Sequence, residues 1–160
     1  MANFDKAYNK VIKSEGYYAN DPDDRGGETY MGIARKFHPD SKIWSIIDSV
    51  TKNYDITSIK FKTDSTYRRN IQIQINNELR HIHELHDYIM PIYKTQYWDK
   101  ANLDELNSQL IATQIFDHGV NAGMSNAIKI AQGRVGLPRT GRYSKELLDK
   151  LNNYGKRYYS

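Results

Sequence analysis

Residues 15–33 read EGYYANDPDDRGGETYMGI. Asn20, Asp21, Pro22, Asp23, Asp24, Gly26 and Gly27 crowd one short span, so residues 17–27 are expected to form a loop or small hairpin. On the N-terminal side, Phe4, Ala7, Tyr8, Val11 and Ile12 recur at helical spacing. Asn3 is a suitable N-cap, and Asp5 complements the helix dipole. Gly16 is suited to end this helix, which puts Glu15 at its C-terminal edge. On the other side, Glu28 to Phe37 reads as a short helix with Met31, Ile33, Ala34 and Phe37 inward, stopped by His38-Pro39-Asp40.

The rest of the chain is dominated by helical period. Residues 42–50 carry Trp44, Ile46 and Ile47 in a short apolar stretch, whereas 51–63 is polar and carries no clear period. Ile71, Ile75, Leu79, Ile82, Leu85 and Ile89 step by three or four, which predicts one long helix. Pro91 is expected to kink or split it, with helix resuming over 92–98. Further helices are predicted over 103–119, 125–135 and 143–151, separated by Asn121-Ala122-Gly123 and by the loop of Gly136, Pro138 and Gly141. The fold class is therefore all-α, or α-dominated, with a small loop or hairpin after the first helix.

The chemistry concentrates where the fold is punctuated. Asp24 follows Glu15 by nine residues, and Thr29 follows Asp24 by five. A chain folding back over this interval brings the three around one cleft. Glycosidic bond hydrolysis needs a proton donor at the leaving oxygen and a second group that steadies the cationic centre or places a water. A Glu emerging from an apolar helix end can be kept protonated by burial. Thr29 is suited to orient a water, and Gly26 and Gly27 let the backbone approach a bulky sugar. The plain alternative is a solvated Glu beside an ordinary Asp- and Gly-rich turn.

These residues resemble the N-terminal signature of glycoside hydrolase family 108, a group of phage and bacterial N-acetylmuramidases. The family pattern is approximately E-G-G-Y, a short loop, then D-x-G-G-x-T-x-x-G-I. It is matched by Glu15-Gly16-Tyr17-Tyr18 and by Asp24-Arg25-Gly26-Gly27-Glu28-Thr29-Tyr30-Met31-Gly32-Ile33. Ile92-Tyr93, Tyr97-Trp98, and Phe116-Asp117 with Val120-Asn121 and Gly123 extend the similarity, while about 51–82 is unmatched. The resemblance implies a lysozyme-like helical domain with Glu15 as general acid. It also implies one domain over 1–160, with a hydrolase part (1–98) and a helical, peptidoglycan-binding-like part (99–160) packed on it. Two departures stand out. Tyr17 replaces the second Gly, where positive φ or a nearby sugar would matter. Arg139 and Thr140 stand where an acidic residue and Gly are expected in a C-terminal turn.

Composition sets the outer limits. A chain of 160 residues fits one domain, and 39% hydrophobic with 26% charged residues is a globular balance. Thirteen Tyr against four Phe suits a groove for polar rings, or simply a Tyr-rich core. The net charge of +4 favours anionic polymers, but the longest basic runs are the pairs Arg68-Arg69 and Lys156-Arg157, a weak case for nucleic acid. No Cys offers a disulfide. Without an apolar leader or a span of about 20 apolar residues, the chain is expected to be made in the cytoplasm, without stable membrane insertion. It is then expected to reach the wall after release, through a holin-like pore, and to act as a monomer.

His83 and His86 stand one turn apart, but H-E-L-H is not the H-E-x-x-H metal spacing, so no metal and no cofactor is expected. Asp117 and Asn121 are substrate-groove candidates or, alternatively, helix-end ligands. Tyr17 and Tyr30 are candidates for stacking on sugar, Tyr30 foremost because it adjoins the loop. Tyr93, Tyr97 and Trp98 read as core. Arg134, Arg139 and Arg142 form a small basic group near the last loop. The leading function is an endo-muramidase acting on peptidoglycan glycan strands; the alternative is a weakly active or inactive wall-binding or secretion-associated module on the same fold.

Overall fold

The computed structural model describes residues 1–13 and 17–159, with side chains through residue 154. Among the described residues it holds eight α-helices and one three-stranded sheet. The chain divides into two compact units, Glu15–Met90 and Met1–Ser14 with Pro91–Ser160.

In the first of these units, strands β1 (Tyr18–Asn20), β2 (Glu28–Tyr30) and β3 (Ile33–Ala34) pair antiparallel in that order. This corrects the helix expected over 28–37. Met31 and Gly32 take positive φ, 49° and 80°, which is the two-residue turn that lets consecutive strands fold back. Met31, only 4% exposed, is held in this costly conformation by burial of its side chain. Phe37, expected inward, is 71% exposed.

Three helices complete the sheet's surroundings: α2 (Ile43–Thr51), α3 (Ile59–Thr63) and α4 (Ser65–Leu79). Side chains of Ser58 and Asp64 accept the amides of Phe61 (3.1 Å) and Tyr67 (3.0 Å), capping α3 and α4. Thus a helix does form at the end of the unassigned stretch 51–63. Buried Arg68 donates to the carbonyls of Phe61 (3.0 Å) and Lys62 (3.1 Å), groups that α3 leaves without helical partners. Gln72 of α4 accepts the amide of Asn20 at 2.6 Å and ties the edge strand β1 to the helix.

The long helix expected over 71–89 is two. α4 stops at Leu79, residues 80–83 pass through tight turns, and α5 runs Glu84–Gln96 with Pro91 inside it. Pro91 therefore does not break the chain. The break occurs where i→i+3 bonds such as His81 N to Glu78 O (3.2 Å) and Ile82 N to Leu79 O (3.0 Å) replace the helical ladder.

In the other unit, α1 (Phe4–Tyr8) is capped by Asn3, which accepts the Lys6 amide at 3.1 Å, and continues as a π-helical turn over Asn9–Lys13. Two 3-10 turns, Trp98–Ala101 and Leu103–Glu105, lead to α6 (Gln109–Ala122), α7 (Met124–Arg134) and α8 (Lys145–Tyr159). Phe4, Trp98 and Phe116 meet edge to face, with ring centroids 5.6–5.8 Å apart. Tyr93 adds a further edge contact to Phe116 at 6.3 Å. The core reading of Tyr93 and Trp98 holds, at 2% and 0% exposed. A single residue, Gly123 at φ 92°, joins α6 to α7. A side chain at Gly119 would collide with the Met124 sulfur, so the two helices approach closely there.

Burial raises the hydroxyl pKa of Tyr18, Tyr30 and Tyr93 above the usual tyrosine value, that of Tyr30 to about 12. For Tyr18 the hydrogen bond to Glu28 adds to the effect. A folded pKa above the unfolded value near 10 means that the stabilisation is complete below about pH 10 and is lost as pH rises toward 12. Alkaline unfolding followed by circular dichroism is therefore expected to fall in that window, and Tyr30→Phe is expected to move it upward. An unmoved alkaline limb in Tyr30→Phe would contradict this account.

Candidate active site

The hairpin joining β1 and β2 builds the site. Tyr18 pairs with Tyr30, Ala19 with Thr29 and Asn20 with Glu28, so residues facing each other share a face of the sheet. Tyr18, Tyr30 and Ile33 lie on the buried face, each 2% exposed or less. Thr29 shares the opposite face with Ala19 and Ala34. Two alanines beside one hydroxyl leave a shallow floor, and the Thr29 hydroxyl has no hydrogen-bond partner among the described residues.

The connecting loop folds on its own acids. The Asp24 amide donates to the Asp21 carbonyl (3.1 Å), and the Gly27 amide to the Asp24 carbonyl (3.0 Å). Asp24 Oδ1 accepts the Gly26 amide at 2.9 Å, an Asx turn that fixes the carboxylate, whose second oxygen has no hydrogen-bond partner among the described residues. A methyl group added at Gly26 would lie 3.5 Å from Asp24 Oδ1 and 3.9 Å from Thr29 Cγ2. Asp24 and Thr29 thus flank one glycine. Gly27, at φ 65°, is required for the turn itself.

Glu15, the expected general acid, lies outside the described residues. Tyr17 begins the hairpin with a side chain 66% exposed, and its carbonyl accepts the Met31 amide at 3.1 Å. Positive φ among the described non-glycine residues is confined to Met31 and Asn102, so Tyr in place of Gly brings no backbone strain at position 17. Tyr30 is a correction: at 1% exposed its ring belongs to the core and offers no face to a sugar. Strand alternation turns it away from Thr29. Asp117 and Asn121 are exposed on α6, where the Asn121 side-chain amide donates to the Asp117 carbonyl (2.9 Å) and carboxylate (3.1 Å). They belong to the other unit and bind one another within α6.

A network around Glu28 was not read from the sequence. The Glu28 carboxylate, 12% exposed, accepts the Tyr18 hydroxyl at 2.6 Å and stands 3.0 Å from Arg35 Nε. Arg35 also donates to Asp48 (2.5 Å) and lies over the Trp44 ring, 4.8 Å from its centroid. One carboxylate thereby links β1, β2 and the residue after β3, and Arg35 carries the link to α2. The period-2 alternation of Glu28, Thr29 and Tyr30 was the available signal, hidden by the helical reading of that segment.

Chemically, the hairpin offers an oriented carboxylate and a free hydroxyl on a floor of small residues, directly after position 15. That suits placing a water or steadying positive charge at a sugar ring. Among the described residues no three His, Asp or Glu side chains converge as a metal would require.

The sequence profile of the family described as Glycosyl hydrolase 108 matches residues 8–123. SagA of Brucella abortus, a solved structure, is similar in fold at TM-score 0.54 and 22% identity, covering 94% of this chain and 68% of that one. Among curated proteins none matches the chain.

Proposed function

This chain belongs to the glycosyl hydrolase 108 family, and on that footing we propose that it is an endo-acting muramidase that cuts the β-1,4 bond between N-acetylmuramic acid and N-acetylglucosamine. Family membership makes it a glycoside hydrolase of lysozyme type with peptidoglycan as substrate. The finer reading assigns the general acid to Glu15. Asp24, held through Gly26, steadies developing charge or activates a water, and Thr29 orients that water. Tyr17, Gly26 and Gly27 border the sugar site. The observation that carries the reading is the placement of Asp24 and Thr29 on either side of Gly26, in the hairpin that follows Glu15.

In this reading the chain works as a monomer, without cofactor, on wall reached from the cytoplasm through a holin-like pore. The bond is tested by digesting purified sacculi, reducing the products with borohydride and identifying the reduced sugar. Muramitol is expected. Glucosaminitol would assign the other glycosidic bond, and 1,6-anhydro ends would replace hydrolysis by an intramolecular transfer; either result overturns the proposal.

A further inference from the structure

The loop 21–27 carries Asp24, and among the described residues the hydrogen bonds that shape it begin and end inside it. Gly26 and Gly27 stand at its β2 end. Such a loop keeps its own form, but its glycine end does little to fix its direction on the sheet. The other end is fixed, and α4 supplies the anchor. Arg68 and Gln72 lie one turn apart on the same face of α4. Gln72 Oε1 accepts the amide of Asn20, the last residue of β1, at 2.6 Å. Arg68 Nη2 stands 3.8 Å from Oδ1 of Asp21, the next residue. Among the described residues this is the one ion pair made by residues 21–27.

Arg68 is itself held in place. It is buried, and its Nη1 donates to the carbonyls of Phe61 and Lys62. A guanidinium is a rigid planar fork, so holding one nitrogen sets the direction of the other. Asp21 passes this constraint on by two routes. Its Oδ1 also accepts the Asp23 amide at 2.9 Å, and its carbonyl accepts the Asp24 amide at 3.1 Å. A line of contacts thus runs from the end of α3 through Arg68 and Asp21 to the backbone of Asp24. α4 belongs to the stretch 51–82, outside the pattern that frames Glu15, Asp24 and Thr29. A pair with a half-exposed Asp adds little to folding, whereas an error of about 1 Å in positioning can cost about 100-fold in rate.

We propose that Arg68 and Gln72 are positioning residues for the hydrolysis: acting through Asp21 and Asn20, they hold the Asp24 carboxylate in its place beside Thr29. The role in hydrolysis rests on the muramidase reading of Asp24 and Thr29; the brace itself does not. Its effect falls on the rate of the bound complex rather than on binding.

The test uses the full chain. Gln72→Leu keeps a side chain of similar size on α4 but removes the acceptor of the Asn20 amide. Asp21→Ala removes the ion pair and the contact with the Asp23 amide. Arg68 is left unchanged, because it also closes the end of α3. Each variant is expected to lower the saturating rate of wall-suspension clearing by about ten- to 100-fold. The suspension concentration that gives half that rate is expected to change by less than about twofold. Gln72→Glu, which restores an acceptor, is expected to return to within about threefold of the wild type. Asp99→Ala, which removes a similarly exposed ion pair from the other unit, should stay within about twofold. The hairpin is read without cleavage by the nuclear Overhauser contact between Gly26 Hα and the Thr29 methyl, since a Cβ at Gly26 would stand 3.9 Å from Thr29 Cγ2. That contact should weaken in Gln72→Leu and Asp21→Ala and persist in Gln72→Glu and Asp99→Ala. Wild-type rates in Gln72→Leu and Asp21→Ala, an equal fall in Asp99→Ala, no recovery in Gln72→Glu, or an unchanged contact would overturn the proposal. A wild type that clears nothing would instead overturn the muramidase reading, and the contact would still decide whether α4 braces the hairpin.

Discussion

Glu15→Gln is expected to slow clearing of a cell-wall suspension by about 100- to 10 000-fold, the range a positioned general acid contributes. The substitution keeps size and hydrogen-bonding capacity but removes the proton that the departing sugar oxygen needs. Binding is not expected to suffer, because the carboxamide fills the same space. Pelleting on wall sacculi should therefore match the wild type, and the thermal midpoint should stay close to it. Asp24 and Thr29 are expected to remain in place, since the Gly26 amide and the β1–β2 register hold them. Clearing that survives the substitution would remove Glu15 from the mechanism. Loss of clearing together with loss of pelleting would move Glu15 to a binding role.

Trp98→Ala is expected to cost about 3–5 kcal/mol of folding free energy. Trp98 is fully buried, with Phe4 and Phe116 edge-on at 5.6 and 5.8 Å. Its ring nitrogen donates to Asp104 at 2.7 Å, so the truncation leaves a cavity and an acceptor without its donor. Against a typical domain stability of about 5–15 kcal/mol this is a large fraction. At roughly 2–4 °C per kcal/mol, the thermal midpoint should fall by about 6–20 °C. Trp98→Phe, which keeps an aromatic ring, should lose less than half as much. Denaturant titration followed by circular dichroism measures both. A loss below about 1 kcal/mol for Trp98→Ala would show that the cluster is not the core of its unit.

Elements with strong period and clear ends were legible from residues alone. Asn3 caps α1 as read, because its side chain reaches the Lys6 amide without help from the rest of the fold. α7 begins and ends within one residue of the expected span, bounded by Gly123 and by the turn before Gly136. The hairpin position was legible for the same reason, since turn formers act over a few residues.

Strand against helix over 28–37 was not legible. Met31, Ile33, Ala34 and Phe37 fit a helical face, and in so short a run apolar spacing does not separate the two. Pairing of Tyr30 with Tyr18 and Ile33 decided it, and those partners come from outside the local window. The break after Leu79 carries no breaker residue, while Pro91 sits inside α5, so the sequence marked the wrong place.

Sequence alone determined the helical class, the turn, and the order in which the proposed catalytic residues Glu15, Asp24 and Thr29 occur. Tertiary structure decided which side of the hairpin each residue faces. It turned Tyr30 inward and left Thr29 on the open face, because two-residue strand alternation acquires an inside only when one face is buried. It also assembled Glu28 with Tyr18 and Arg35, and pinned Arg142 through Gln132. Such arrangements rest on hydrogen bonds between residues whose spacing follows no period, so nothing local announces them.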